Sequence, residues 1–389
     1  MRRSTVAVLA ALLSLTAIGY SQPPTLLLTP QRLKRLKRDR ERQTVRWTDF
    51  ETRVQTVPDS PERGFELALY YAVTGDQARG REAVKWAIEH PCELRQVALV
   101  RNWIGVGQEA IKPCGYIGNG SPVSARNSLF LILAFGGNTN FETFWRQSVL
   151  PNLEANVLSD PKQLYAACEF LMAYRTAERA DLREDAAHFF SNLPTEFLLS
   201  LKPDKAEHPD WMTHIAALAL VAMDPNLQGS QFLQGWAMED RQMIREGPGV
   251  AYELLWADPY LPGVGYQNLD PWVYDPDAGR LFARTDWTPE ACWISISKAS
   301  VENEHCPANW QNATAKFGHL MLIPMTGECA ELPQRNGNEF TILWKLPATQ
   351  LITFSSAQEH HTAQADPAGM IQLGANVRGK ACLPREGKR

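Results

Sequence analysis

The sequence predicts an α+β protein in which a series of helical hairpins is followed by a short domain of antiparallel β-strands. Three observations support this prediction. Apolar residues recur at helical spacing along the chain before Gly249. Gly, Pro and Asn-Pro breaks separate these runs. After Gly249, short alternating segments with frequent turn residues replace them.

Composition and charge exclude several classes of protein. Of the 389 residues, 44% are hydrophobic and 21% are charged, which is the balance of a globular protein rather than a disordered one. The net charge of −4 argues against a nucleic-acid-binding protein, which usually has a basic excess. The sequence contains no GxxxxGK(S/T), GxGxxG, HExxH or GxSxG pattern. We therefore predict neither a metal nor a cofactor.

The first residues have the pattern of a secretory signal peptide. Arg2 and Arg3 precede an apolar run, Val6–Ile18, and small residues lie near a cleavage site that we place after Ser21. This run is shorter than the about 20 apolar residues of a spanning helix, and no later stretch is long enough to be one. An uncleaved anchor is the alternative. We expect a secreted or periplasmic mature chain, residues 22–389.

The helical hairpins are predicted to begin after Thr29, which suits an N-cap because Pro30 follows at the first helical position. A second hairpin turns at Gly75–Asp76. Further helices are predicted over residues 94–111, 125–135, 141–157, 162–177, 182–193 and 214–223. The hairpins share no fixed sequence period, so an irregular α-solenoid and a closed toroid both remain open.

The first of these helices carries many basic side chains. They are Arg32, Lys34, Arg35, Lys37, Arg38, Arg40 and Arg42. One interpretation is a basic strip that attracts an acidic polymer. The other is an ordinary solvated helix face, whose charge Asp39 and Glu41 reduce.

The seven cysteines all lie after the signal peptide, and an odd number leaves at least one free or paired between chains. Proximity in sequence makes Cys92 with Cys114, and Cys306 with Cys329, the candidate pairs. We expect buried thiols together with one bridge. The pairing pattern and the oligomeric state stay open.

The domain of strands is predicted over residues 261–389, after a helical domain over 22–260. Its strands are Arg280–Arg284, Cys292–Ser297, His319–Met325, Phe340–Leu346 and Gln350–Phe354. From Gln358 onward the sequence is polar, and we predict a poorly ordered tail there.

One motif lies at the junction of the two domains. Gly279–Trp287 reads G-R-L-F-A-R-T-D-W and is followed by Ala291-Cys292-Trp293-Ile294. In this motif, in Tyr252–Pro259 and in the turn Ala72–Asp76, the chain resembles the heparinase II/III and alginate-lyase superfamily. The resemblance implies a toroid of helical hairpins, a β-sandwich and a cleft for an acidic polysaccharide. It also implies cleavage of a uronic-acid polymer by β-elimination.

The resemblance further implies the catalytic residues. His214 lies where the family has the His of an Asn-His pair, although Thr213 replaces the Asn. His305 matches the first His of a His-x-His-x-Asp-like segment. A catalytic tyrosine is also implied, and Tyr252 and Tyr266 are the two candidates. His and Tyr suit the proton transfers of this reaction.

Two positions depart from the family pattern. Pro307 and Asn309 replace the second His and the Asp of the His-x-His-x-Asp-like segment. This departure favours an alternative in which the chain binds a glycan but has lost its chemistry. A secreted helical scaffold that contacts other proteins is the third hypothesis.

The predicted substrate-binding residues are an arginine, three tryptophans and an asparagine. They are Arg284, Trp256, Trp272, Trp310 and Asn309. An arginine fork suits a uronate carboxylate, and tryptophan rings suit sugar faces. Each of them has a plain alternative: Arg284 can pair with Asp286, and the tryptophans can pack in a core.

Overall fold

The computed structural model of the chain describes the residues up to 305 with short gaps, and then eight separate strands. The described ranges are 26–105, 107–115, 120–137, 141–270, 272–275, 280–284, 286–291, 293–296 and 301–305, followed by the strands between 315 and 382. The predicted signal peptide, Cys306, Pro307, Asn309 and Trp310 lie outside the described residues. Helices predominate, and the strands follow them in the chain.

The α-helices fall into the region that the sequence predicts to be helical. They are α1 Pro30–Glu41, α2 Val45–Thr56, α3 Arg63–Thr74, α4 Gln77–Glu89, α5 Leu94–Trp103, α6 Pro122–Phe135, α7 Phe141–Phe144, α8 Leu150–Asn156, α9 Pro161–Glu178, α10 Ala187–Ser200, α11 Pro203–Glu207, α12 Trp211–Met223, α13 Gln228–Ala237 and α14 Gly249–Trp256. A π-helical turn, Trp145–Val149, links α7 to α8.

Local chemistry explains the helix ends that the sequence predicts. The Thr29 hydroxyl accepts a hydrogen bond from the Arg32 backbone N–H, which confirms the predicted N-cap of α1. Gly75 ends α3 in the left-handed region, at φ 77°, where glycine is favoured. Asp76 then caps α4 by accepting from two backbone N–H groups. The helix predicted over residues 94–111 ends earlier, at Trp103, because Gly105 and Gly107 follow it and Gly107 has φ 74°.

The described residues form two compact units, each assembled from separate stretches of the chain. The first contains the residues up to Val149, Ala166–Leu182 and Ile244–Leu255, and the second contains the remainder. The last change of unit lies between Leu255 and Trp256, near the predicted domain boundary at 260. The second unit nevertheless contains helices as well as strands.

The strands form one four-stranded sheet and three smaller ones. They are β1 Trp272–Asp275, β2 Arg280–Arg284, β3 Trp293–Ile296, β4 Val301–Glu304, β5 Ala315–Phe317, β6 Leu320–Pro324, β7 Cys329–Glu331, β8 Phe340–Trp344, β9 Leu351–Ser355, β10 His360–Ala365, β11 Ile371–Ala375 and β12 Lys380–Cys382. The four-stranded sheet has the order β1-β2-β3-β4, and all its pairs are antiparallel.

Two expectations about the strands were wrong. The pairing of β6 with β8 is parallel, so the sheets are not purely antiparallel. The residues after Gln358, predicted to be a poorly ordered tail, contain β10, β11 and β12. Pairing with β9 and β7 supplies backbone hydrogen bonds that a polar composition does not reveal.

The first sheet of the second unit packs on α10. Leu199 near the end of α10 forms a buried apolar cluster with Phe282 of β2 and Trp293 of β3. The indole Nε1 of Trp293 donates a hydrogen bond of 2.8 Å to the Leu199 carbonyl. Carbonyls of the last helical turn lack partners within their own helix, so this bond satisfies one of them. The helix and the sheet therefore share one core.

The cysteine pairing is confirmed in part. Cys92 and Cys114 form a disulfide, with a Cα–Cα distance of 5.1 Å. For the second candidate pair, Cys306 lies outside the described residues, while the register of β7 and β12 pairs Cys329 with Cys382. Cys168 is buried.

Among the described residues, no helix combines the length and the apolar character needed to cross a membrane.

Candidate functional site

A row of three side chains runs across one end of the first sheet. Arg284 of β2 is the register partner of Trp293 of β3, and Trp293 is the register partner of Glu304 of β4. Directly opposed residues of neighbouring strands project from the same face of a sheet. Lys202, just after α10, contacts this row. We call Arg284, Trp293, Glu304 and Lys202 the edge row.

The open end of the edge row carries an ion pair over an aromatic ring. The Lys202 Nζ lies 2.9 Å from a Glu304 carboxylate oxygen and 5.6 Å from the centroid of the Trp293 ring. The side chain of Lys202 is 42% exposed. Its hydrogen bond to Glu304 raises the pKa of the Lys202 amine, so the amine stays charged. The Lys202 Nζ also lies 3.5 Å from a Glu302 carboxylate oxygen, so two carboxylates share this one ammonium.

The buried end of the edge row is the Arg284 guanidinium, which is 1% exposed. Its Nε donates to the Asp286 carbonyl at 2.7 Å and its Nη1 to the Leu201 carbonyl at 3.5 Å. Within the described part of the chain, its Nη2 has no hydrogen-bond partner. Burial lowers the pKa of Arg284 to about 10, and the guanidinium is still charged near neutral pH. A charged fork with a spare donor suits a carboxylate.

Tyr266 and Arg284 both contact the ring of Trp287. The Arg284 guanidinium carbon is 4.1 Å from the centroid of that ring, and the Tyr266 ring meets it edge-on with centroids 5.0 Å apart. The Tyr266 hydroxyl accepts a hydrogen bond of 2.9 Å from Arg241. Burial raises the pKa of Tyr266, so its hydroxyl keeps its proton. Two predicted site residues, Tyr266 and Arg284, thus contact one indole of the G-R-L-F-A-R-T-D-W motif.

His305 directly follows Glu304 of the edge row and is exposed. Its backbone lies in the left-handed region, at φ 55°, which few residues other than glycine adopt. Such conformations concentrate at functional sites because the surrounding structure must hold them. His305 therefore has the access that proton transfer requires.

The other predicted catalytic histidine lies in a core. His214 is 1% exposed in α12, and its ring packs 6.1 Å from that of Trp236. The alternative that the sequence left open, a core histidine, describes this position. His214 and His305 belong to the same unit but differ in exposure.

Tyr252 also lies in a core, in the first unit. Its hydroxyl accepts a hydrogen bond of 3.0 Å from Arg95 Nη1, and the Arg95 guanidinium carbon lies 4.8 Å from the centroid of its ring. Its side chain is 3% exposed. Of the two candidate tyrosines, Tyr266 shares the Trp287 ring as a neighbour with the predicted binding residue Arg284.

The predicted sugar-stacking tryptophans differ in environment. Trp256 is fully buried and donates a hydrogen bond of 3.0 Å to the Tyr165 hydroxyl, as a core indole does. Trp272 begins β1 and is half-buried. Trp310 lies outside the described residues. Trp293, which belongs to the edge row, and Trp287, which contacts Arg284 of that row, were not among the predicted stacking residues. The junction motif nevertheless contains Trp287.

The first unit contains a buried network of charges that the sequence does not reveal. Glu169 is fully buried and accepts hydrogen bonds from Arg95 at 2.6 and 2.8 Å and from Arg126 at 3.1 Å. Glu62 borders this network, since its carboxylate lies 3.7 Å from Arg95. Burial raises the pKa of Glu62. Two buried arginines around one buried carboxylate form a structural centre, because a charge without such partners is costly to bury.

A second buried carboxylate, Glu196 of α10, lies in the second unit. It accepts a hydrogen bond of 2.8 Å from Arg280, which also lies 3.7 Å from a carboxylate oxygen of Asp275. Burial raises the pKa of Glu196 to about 7 against the attraction of Arg280, and the neighbouring Asp275 raises it further.

This pKa predicts a pH dependence of stability. The folded chain binds a proton at Glu196 more tightly than the unfolded chain, whose carboxyl has its ordinary pKa of 4.5. The free energy of unfolding should therefore fall as the pH rises from about 4.5 to about 7, by on the order of 3 kcal/mol. Glu196→Gln should flatten this part of the profile, as measured by urea unfolding at several pH values.

The matched control is Glu184→Gln, which changes an exposed glutamate of the same unit and should leave the profile unchanged. If Glu196→Gln retains the full decrease between pH 4.5 and 7, the titrating group is elsewhere.

Comparisons with known proteins assign the chain to no family. No family model matches the chain, and no curated protein does either.

Proposed function

We propose that the chain is a secreted polysaccharide lyase of the heparinase II/III type that cleaves a uronic-acid-containing polymer by β-elimination. One observation carries the proposal: an exposed imidazole next to the edge row, a buried guanidinium within that row and a buried, protonated phenol belong to one unit. They belong to His305, Arg284 and Tyr266. These are the three kinds of group that this reaction uses.

Each group has a defined role in the proposed reaction. Arg284 binds the uronate carboxylate and neutralises the charge that develops when the neighbouring carbon loses its proton. His305 accepts that proton, and the electron pair of the broken C–H bond forms a carbon–carbon double bond. The bond to the glycosidic oxygen breaks in the same elimination. Tyr266 protonates the leaving oxygen, and the product carries an unsaturated uronate at its new end.

The same proposal includes the arrangement of the helices and strands and the secretion of the chain. We infer that the helical hairpins close into a toroid and that the strands form a sandwich, on the basis of the family resemblance. Secretion is supported by the signal-like residues before Ser21 and by the Cys92–Cys114 disulfide, since disulfides persist mainly in oxidising compartments.

A second candidate is a glycan-binding protein of the same fold that has lost its chemistry. Burial favours it, because His214, both candidate tyrosines and Arg284 are all less than 5% exposed. The replacement of the second His and the Asp by Pro307 and Asn309 favours it as well.

One experiment distinguishes the two candidates. The purified chain is incubated with polyuronates and with glycosaminoglycans, and the ultraviolet absorbance of the unsaturated product is followed. In parallel, its retention on gels that contain each polymer is measured. Product formation supports the lyase, whereas retention without product supports the binding protein. If neither occurs with any of these polymers, both proposals are contradicted.

A further inference from the structure

The exposed face of α1 carries a line of basic side chains, and we propose that it is a docking surface for acidic polysaccharide. We call Lys34, Lys37, Arg38 and Arg40 of α1, together with Arg42 at its C-cap, the basic strip. The inference rests on the proposed function for the identity of the polymer. It adds a binding surface in the first unit, separate from the edge row of the second.

Burial along α1 places the strip on the outer side of the helix. Leu36, Arg35 and Asp39 are buried, and the Arg35 guanidinium donates to the carbonyls of Leu254 and Leu255. The exposed positions recur at the spacing of helical turns, about 5.4 Å apart along the axis. Lys34, Lys37 and Arg40 are exposed, and Arg38 is half-buried. Glu41 is the exposed acid of this helix.

The stability of the helix does not explain all of these charges. Arg38 and Arg40 lie in the last turn, where positive charge favours the helix dipole. Lys34 and Lys37 lie before that turn and gain less from it. Lys34 is also three residues from Lys37 and four from Arg38, and like charges at these spacings destabilise a helix. Glu41 lies four residues after Lys37 and three after Arg38 and offsets part of this repulsion, and a bound polyanion would offset more of it.

The shape and charge of the strip favour an extended polymer with regularly spaced anions. The chain as a whole has a net charge of −4, so the strip is not part of a general basic excess. A polyuronate carries a carboxylate on each sugar and can contact successive turns of a convex helix, where several weak ion pairs add up. A membrane-binding helix instead presents large apolar residues beside its basic ones. On α1, Leu36 is buried and Leu33 half-buried.

The test is the double substitution Lys34→Glu/Lys37→Glu in the full chain. We expect the Kd for a long polyuronate at low salt to rise about tenfold, and the protein to elute from a polyuronate gel at lower salt. The Tm should change by no more than about 1–2 °C, because a glutamate at position 34 attracts Arg38, a glutamate at position 37 repels Glu41, and each such pair contributes at most about 0.5 kcal/mol. Lys112→Glu/Lys162→Glu makes the same change of charge at exposed lysines elsewhere and should leave the Kd unchanged.

Two further measurements distinguish this inference from membrane binding and from the proposed function. Anionic phospholipid vesicles test the membrane alternative: sedimentation of the chain with vesicles, without retention on polyuronate, would overturn the docking proposal. Short oligouronides, which have too few carboxylates to form several ion pairs along α1, test the proposed function alone, and their cleavage should be the same in both double variants. If the strip variant binds the long polymer as tightly as the unsubstituted chain while oligouronides are cleaved, docking on α1 is refuted and the lyase proposal stands.

Discussion

Replacing His305 with asparagine should lower the turnover of a uronic-acid polymer by about 10²- to 10⁴-fold, the usual contribution of a general base. Asparagine removes the imidazole but tolerates the left-handed backbone conformation at φ 55°. The fold should therefore survive the change, and the Tm should stay within about 1–2 °C, since surface substitutions rarely alter stability by more than about 0.5 kcal/mol. The measurement is the initial rate of unsaturated product formation.

The matched control is His208→Asn, which removes another exposed imidazole of the same unit. It should leave the rate unchanged. A fall in kcat with a constant KM assigns His305 to the chemical step rather than to substrate binding. If His305→Asn retains full turnover while the unsubstituted chain is active, the base is a different residue.

Replacing Arg95 with methionine should lower the free energy of unfolding by about 3–5 kcal/mol, the usual effect of removing one partner of a buried ion pair. Glu169 would lose three hydrogen bonds from Arg95 and would keep Arg126 as its neighbour. Tyr252 would lose the donor to its hydroxyl and the cation over its ring. Urea unfolding measures the effect: the free energy of unfolding should decrease while its slope against urea concentration, m, stays constant.

Arg175→Met is the control, because Arg175 pairs with Asp181 at 3.6 Å and its side chain is 40% exposed. Exposed ion pairs contribute up to about 1 kcal/mol, so this variant should unfold at nearly the same urea concentration as the unsubstituted chain. Equal losses for the two variants would mean that the network around Glu169 is not the structural centre of the first unit.

Features that depend on neighbouring residues could be predicted from the sequence. Thr29 before Pro30 and Gly75 before Asp76 fix helix ends through hydrogen bonds and dihedral angles within a few residues. The strand over Arg280–Arg284 was predicted at its observed bounds, because apolar residues and turn signals mark it locally. Proximity along the chain likewise identified the Cys92–Cys114 bridge.

Features that depend on distant residues could not be predicted. Arg95 and Glu169 are 74 positions apart, and nothing in either local sequence marks the other as its partner. The burial of His214 is also a tertiary effect, because a histidine on an apolar helix is compatible with both a core and a cleft. In the edge row, Arg284 was predicted as a binding residue, but Lys202 joins Glu304 and Trp293 only through folding.

The hydrogen bonds from Trp293 and Arg284 to the carbonyls near the end of α10 have a consequence for dissecting the protein. Leu199 and Leu201 belong to the helical part of the chain, and their partners belong to the strands. A fragment that stops at residue 260 would expose those carbonyls and the apolar side of α10 to water. The helical and pleated parts of the second unit are therefore halves of one folding unit, and neither should be expressed without the other.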